Sequence, residues 1–279
     1  MKLEIISREP PVLKFDAPLL FVHGSCHAAW SWDENFLPFF AERGFSSHAV
    51  SLRGHGKSEG GEQLKWCSAA DFVADVCQAA SELPKMPVVI GHSLGGFIVQ
   101  KFLEKTDAPA GILVAPSPSE GMFWSGVKLQ LQNPRLFTKV AFRQDFQMLY
   151  NTPERAKKFL FSADADDEKV SEYSRRFGKE SYRAAMEMIY NLPNPKKVKT
   201  PLLVLGGAND AIIAPKKIEK TARAYNADCK IFPRMAHDLM LERDWQTVAD
   251  FMINWLRRFK IQDSGFWIQN SGLTSRIKS

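Results

Sequence analysis

The chain has 279 residues, 45% hydrophobic and 24% charged, enough to bury a sizeable core without disulfide staples, and its composition excludes collagen, coiled coil and unfolded chain. The formal charge of +6 is dispersed, with Asp and Glu in the same stretches as Lys and Arg, so no basic block exists to track a phosphate backbone. No stretch approaches the roughly 18 uninterrupted apolar residues of a membrane span.

The opening Met1–Pro10, a short apolar run broken by charges, does not read as a signal peptide. Cys26, Cys67, Cys77 and Cys229 match no zinc or CxxC spacing; they read as reduced, partly buried thiols, with a disulfide left open. These features predict a soluble cytoplasmic protein that meets neither nucleic acid nor, stably, a membrane. Oligomeric state is not written in the chain, and a homodimer stays open.

In chain order, Pro18–Gly24 is a buried strand ending at a glycine turn. Ala69–Leu83 has helical period, with Ser68 a candidate N-cap. Met86–Gly91 is a second strand and Leu94–Thr106 the helix after it. Gly111–Ala115 and Pro201–Gly206 are further strands, and Ile218–Tyr225 and Trp245–Phe259 further helices. Continuous apolar runs suit strands covered on both faces, so the pattern predicts an α/β fold with a mostly parallel central sheet. From Pro116 to Pro195 no strand run occurs; Phe142, Phe146 and Leu149, then Tyr182, Met186 and Ile189, fall at helical spacing between punctuating prolines. This predicts a core of residues 1–115 and 196–262 with a helical insertion at 116–195; two or three more crossover helices are the alternative. For the tail, 263–279, a frayed end and a docked one are both open.

One segment carries chemistry. Val88-Val89-Ile90-Gly91-His92-Ser93-Leu94-Gly95-Gly96 takes a buried strand directly into a helix through Gly-x-Ser-x-Gly. Such a turn strains the serine backbone and needs slender neighbours, and it exposes the hydroxyl at a helix N-terminus where free N–H groups can stabilise an oxyanion. Ser93 is therefore the candidate nucleophile. A serine needs a base, and His237, in the loop before the last helix, is the candidate. Asp210, just past the end of the Pro201–Gly206 strand, is the candidate acid that orients it. Asp238 and Asp228 are rival acids. The oxyanion donors are expected to be the Leu94 N–H and the Ser25 N–H, with Cys26 as the alternative; His23 reads as a packed loop histidine.

Together these residues resemble the α/β-hydrolase fold superfamily. Phe21-Val22-His23-Gly24 is similar to its oxyanion loop and Leu52-Arg53-Gly54-His55-Gly56-Lys57-Ser58 to the loop that braces its elbow. Gly91–Gly96 resembles the elbow itself, Gly207–Asp210 the acid loop and Met235–His237 the base loop. The resemblance spans most of the chain outside the insertion and tail. It implies structural roles for Arg53 and His55, and a helical cap made by 116–195. Ser93 separates the chain from haloalkane dehalogenases and related epoxide hydrolases, which carry aspartate there. The lysophospholipase, monoacylglycerol lipase and C–C hydrolase branches stay open, and His23–Trp30 is also similar to plant methylesterases and hydroxynitrile lyases.

The resemblance implies a serine hydrolase that cleaves a small to medium, largely apolar carboxylic ester through an acyl-enzyme, with no metal or organic cofactor. The insertion's Phe123, Trp124, Phe142 and Phe146, with Phe137 and Met148, are the candidate pocket walls, packing within the cap being the alternative for each. C–C hydrolysis of a diketone and a non-catalytic small-molecule receptor are the other readings.

Overall fold

The structure, a computed structural model, describes residues 1–261 and 267–269. Seven strands form one sheet: β1 (Glu4–Arg8), β2 (Phe15–Val22), β3 (Phe45–Ser51), β4 (Val88–His92), β5 (Gly111–Val114), β6 (Leu202–Gly207) and β7 (Asp228–Phe232). Their order is β1-β3-β2-β4-β5-β6-β7, and every pair is parallel except β1 with β3.

Alternation along the strands builds two cores. Leu19 and Phe21 of β2 point to the face that holds Trp32, Phe36, Phe40 and Met252, while Leu20 and Val22 point to the face that holds Phe72, Val76, Phe97 and Ile218. Helices cover both faces, which is why the central strands are apolar throughout. One layer contains α1 (Trp30–Asp33), α2 (Phe36–Glu42) and α11 (Trp245–Leu256); the other contains α3 (Ala69–Ser81), α4 (Leu94–Leu103) and α10 (Pro215–Ala224). Ser68 caps α3 in a reciprocal box with Asp71.

Two strands lacked a strong pattern in the sequence. β1 is only half-buried, at the sheet edge. β3 is buried but carries Ser47, His48 and Ser51, whose hydroxyls and ring are satisfied locally: Ser51 Oγ donates to Glu4 at 2.6 Å, and His48 Nδ1 lies 2.8 Å from Ser7 Oγ.

Between β5 and β6 the chain leaves the sheet for five helices: α5 (Phe123–Gln132), α6 (Pro134–Arg143), α7 (Pro153–Leu160), α8 (Asp167–Arg176) and α9 (Tyr182–Tyr190). Pro134 and Pro153 each stand at the start of a helix, where the missing N–H costs nothing. Thr152, Asp166 and Ser181 cap α7, α8 and α9. After α11, Phe259–Ile261 pairs antiparallel with Trp267–Gln269; the rest of the 263–279 tail lies outside the described residues. Among the described residues no helix is long and apolar enough to cross a membrane.

Candidate active site

A single residue separates β4 from α4, and it is Ser93, at φ 52° and ψ −113°. That backbone region is sparsely populated by residues with a Cβ and persists only where the surroundings over-determine it. Here they do. Ser93 N–H donates to Val114 O at 3.1 Å, and its carbonyl accepts from Phe97 N and Ser117 N, each at 3.1 Å. A Cβ on Gly91 would collide with the Gly95 carbonyl, and one on Gly95 with the carbonyls of Val22 and His23. The two glycines let the helix cross the strand ends at backbone contact. Leu94, the first residue of α4, has its N–H outside the helical ladder.

Opposite Ser93 stands His237, in the loop between β7 and α11. Its Nε2 is 3.0 Å from Ser93 Oγ and its Nδ1 is 2.7 Å from Asp210 Oδ2. Asp210 follows β6, and its other oxygen accepts from Ile212 N at 2.7 Å and Ile213 N at 2.8 Å, which fixes the carboxylate and leaves Oδ2 for the ring. Burial works against charge on His237, but the Asp210 carboxylate outweighs it and raises the histidine pKa above its ordinary value. The His237 loop is suspended from the insertion: His237 N and Asp238 N both donate to Leu160 O, at 3.0 and 2.9 Å. Glu242 adds a second tie, accepting from Ala236 N at 2.9 Å and from Ser162 N at 2.8 Å.

Neither rival acid reaches the ring. Asp238 turns to His27, whose Nε2 is 3.0 Å from its Oδ2. Asp228, on the edge strand, accepts from Trp255 Nε1 at 2.7 Å and Arg258 at 2.9 Å. His92, behind His237, is held neutral with a pKa of about 3, by burial first and the neighbouring His237 second, and its Nε2 donates to His237 O at 3.1 Å. Among the described residues one set could bring metal-ligating atoms together, His92, His237 and Asp238, within 4.8 Å of one another. Both His237 nitrogens already face Ser93 and Asp210, so the set is wired by hydrogen bonds and not opened toward a cation.

The loop after β2 supplies the other wall. His23 is packed as expected: Nδ1 donates to Gly24 O at 2.8 Å, and Nε2 accepts from Leu52 N at 3.0 Å. Ser25 borders the cavity beside Ser93. Cys26, the alternative donor, does not serve, because its N–H is spent on Glu180 Oε2 at 3.0 Å. Arg53 braces this region by pairing with buried Asp75 at 2.6 Å, and His55 Nε2 lies 3.4 Å from Glu180.

Above Ser93 lies a cavity of about 230 Å3, walled chiefly by Leu129, Phe137, Val140, Phe146, Leu149 and Phe159. Of the aromatic residues expected there, Phe146 and Phe137 border it, while Met148 packs into the core beside it. Phe123, Trp124 and Phe142 do not line it; they are 52%, 70% and 90% exposed. The reason is helical phase: Phe142 lies two residues beyond Val140, about 200° around α6, so when Val140 faces the cavity Phe142 faces water. Sequence reasoning missed Tyr150 and Ser117, which border the same cavity, and Glu180; none stands in a motif.

With this geometry in place, comparison with known proteins gives the family. A model named Hydrolase_4, described as serine aminopeptidase, S33, matches residues 14–244, and the chain belongs to that family, in the serine branch of the α/β-hydrolase superfamily. It is similar in structure to BpoC of Mycobacterium tuberculosis H37Rv, a candidate non-heme bromoperoxidase, at 18% identity and TM-score 0.72, covering 92% of this chain and 96% of that one. It is similar to a thermophilic esterase from Thermogutta terrifontis at 20% identity and TM-score 0.69, covering 91% and 93%. The monoacylglycerol lipase of Paleococcus ferrophilus matches at 20% identity and TM-score 0.69, covering 92% and 98%. Among curated proteins no sequence match reaches significance. At these identities the solved structures speak for the fold; the family makes the chain a hydrolase.

Proposed function

We propose that the protein is a serine esterase that cleaves a small to medium, largely apolar carboxylic ester through an acyl-enzyme. The observation that carries this reading is the continuous Ser93–His237–Asp210 hydrogen-bond chain, at 3.0 and 2.7 Å, opening on an apolar cavity. His237 removes the Ser93 proton as Oγ attacks the substrate carbonyl. Asp210 holds the imidazole in the required tautomer and stabilises its charged form. The Leu94 and Ser25 N–H groups receive the oxyanion. His237 then protonates the departing alcohol, and water repeats the cycle on the acyl-enzyme. The insertion serves as a cap whose helices shape the acyl or alcohol pocket. No step calls for a metal or organic cofactor.

The family's description includes aminopeptidase, but among the described residues the cavity wall holds no carboxylate to receive a free amino terminus, which favours a neutral ester. Among the described residues no lining residue favours carbon–carbon cleavage of a diketone, and the intact hydrogen-bond chain disfavours an idle receptor.

The test is labelling of the purified protein with a fluorophosphonate, followed by a screen of p-nitrophenyl esters of graded acyl length. Labelling of wild type, its loss in Ser93→Ala and turnover of at least one ester are expected. An unlabelled wild type would sink the reading; labelling without turnover of any ester would move it toward carbon–carbon bond cleavage.

A further inference from the structure

The loop that offers Ser25 is not held by the sheet alone. Cys26, the next residue, has φ 64°, a left-handed conformation rare for a residue with a side chain. Both of its backbone polar groups are taken by one segment of the insertion, the link between α8 and α9. Cys26 N–H donates to Glu180 Oε2 at 3.0 Å, and Cys26 O accepts from Gly178 N at 2.8 Å. The Glu180 side chain is wholly buried. Its other oxygen accepts from Ser181 N at 2.6 Å and lies 3.4 Å from His55 Nε2. Burial opposes charge on His55, yet Glu180 outweighs it and raises the histidine pKa, as expected beside a carboxylate. The segment is itself fastened to the core, since Ser181 Oγ donates to Cys67 O at 2.5 Å.

A buried carboxylate is costly unless its lone pairs are filled, and this one is filled by Cys26 N on the oxyanion loop and Ser181 N on its own segment, with His55 beside it. The two-point hold on Cys26 accounts for the left-handed residue. It also removes Cys26 N–H from competition and leaves Ser25 N–H, which meets no protein acceptor among the described residues, beside the cavity. From the other side His27 Nδ1 donates to Ser25 O at 2.7 Å, so the Ser25–Cys26 peptide, next to the one that carries the Ser25 N–H, is held at both its carbonyl and its N–H.

We propose that Glu180 is a positioning residue for the oxyanion hole: through Cys26 it sets the direction of the Ser25 N–H, so that the insertion supplies part of the transition-state electrostatics and not only a pocket wall. This rests on the serine-esterase reading above. Donors aimed at a developing oxyanion act through pre-organisation, so loss of the clamp weakens the transition state more than it weakens substrate binding.

The experiment compares wild type, Glu180→Ala, Glu180→Gln and Gly178→Pro. It measures the rate of fluorophosphonate labelling, kcat and KM on an oxo ester, and the rate ratio between that ester and its thionoester, whose sulfur is a poor occupant of the hole. Glu180→Ala is expected to slow labelling and kcat roughly 10- to 100-fold, below the cost of deleting a donor outright, with KM moved less than about threefold. The oxo-to-thiono ratio is expected to shrink in parallel. Glu180→Gln, whose amide oxygen can still accept from Cys26 N, is expected to recover most of the rate. Gly178→Pro, at an exposed position, removes the other bond and should shift the ratio in the same direction by less; it keeps the test open if Glu180→Ala does not fold. Unchanged labelling in the variants, or equal losses on oxo and thiono esters, would overturn the proposal. An unlabelled wild type would instead overturn the esterase reading beneath it.

Discussion

Asp238 adjoins His237 in sequence, yet its carboxylate pairs with His27 Nε2 at 3.0 Å, while Asp210, 27 positions before His237, takes His237 Nδ1. The two acids therefore have separable roles. Asp210→Asn, which keeps shape but loses charge and tautomer control, is expected to lower kcat about 10⁴-fold with little change in thermal stability. Asp238→Ala strands His27 in a buried site and is expected to cost about 3–5 kcal/mol of stability. Chemical denaturation and steady-state kinetics on the two variants check this; the assignment is wrong if Asp210→Asn stays nearly fully active.

Removal of Ser93 or His237 should have the signature of groups that act as a unit. Ser93→Ala and His237→Ala are each expected to reduce turnover by several orders of magnitude, and the double variant by scarcely more than either alone. Additive losses, measured on a single ester, would mean that the two side chains do not share a step.

The pH dependence follows from the raised pKa of His237. In the proposed mechanism the neutral imidazole is the base, so kcat/KM is expected to rise with pH along a limb centred above the ordinary histidine value of 6.5. Stability runs the other way. The pairing with Asp210 contributes fully below the unfolded-state pKa and is lost as pH climbs through the higher folded-state one. A pH–rate profile placing the limb below 6.5 would contradict the electrostatics described for the pair.

The cavity sets an expectation for chain length. Each methylene buried against Leu129, Phe137 and Val140 is worth about 0.8 kcal/mol, or roughly fourfold in kcat/KM, until the space is filled. Val140→Trp, which fills the cavity, is expected to shift the preferred ester to shorter chains. Phe142→Ala, at a residue 90% exposed, should leave the preference unchanged. A graded p-nitrophenyl ester series on both variants distinguishes the inward face of α6 from its outward one.

The elbow was legible in the sequence because its constraints are local: a strand, a serine that must be strained, and two glycines that must be small lie within eight residues. His237 and Asp210 were legible by their order and by their places after strands. β1 and β3 were not, because an edge strand and a strand carrying Ser47, His48 and Ser51 owe their pairing to neighbours far along the chain. Phe123, Trp124 and Phe142 were misplaced because aromatic content says nothing of helical phase without a known inward residue. Glu180 was hidden for a similar reason: its partner Cys26 is 154 positions away, and no local pattern marks either residue.

The carbonyl of Leu160, at the end of α7, receives the N–H groups of both His237 and Asp238. A helical segment inserted between two strands looks like an exchangeable module, free to drift while the sheet keeps the chemistry. Here it is also the peg from which the His237 loop hangs. Grafting a relative's insertion onto this sheet would have to reproduce that backbone oxygen in place, together with the Glu180 carboxylate that holds Cys26 N. Drift toward new substrates is thus channelled into the inward faces of α5, α6 and α9, which can change without moving that atom.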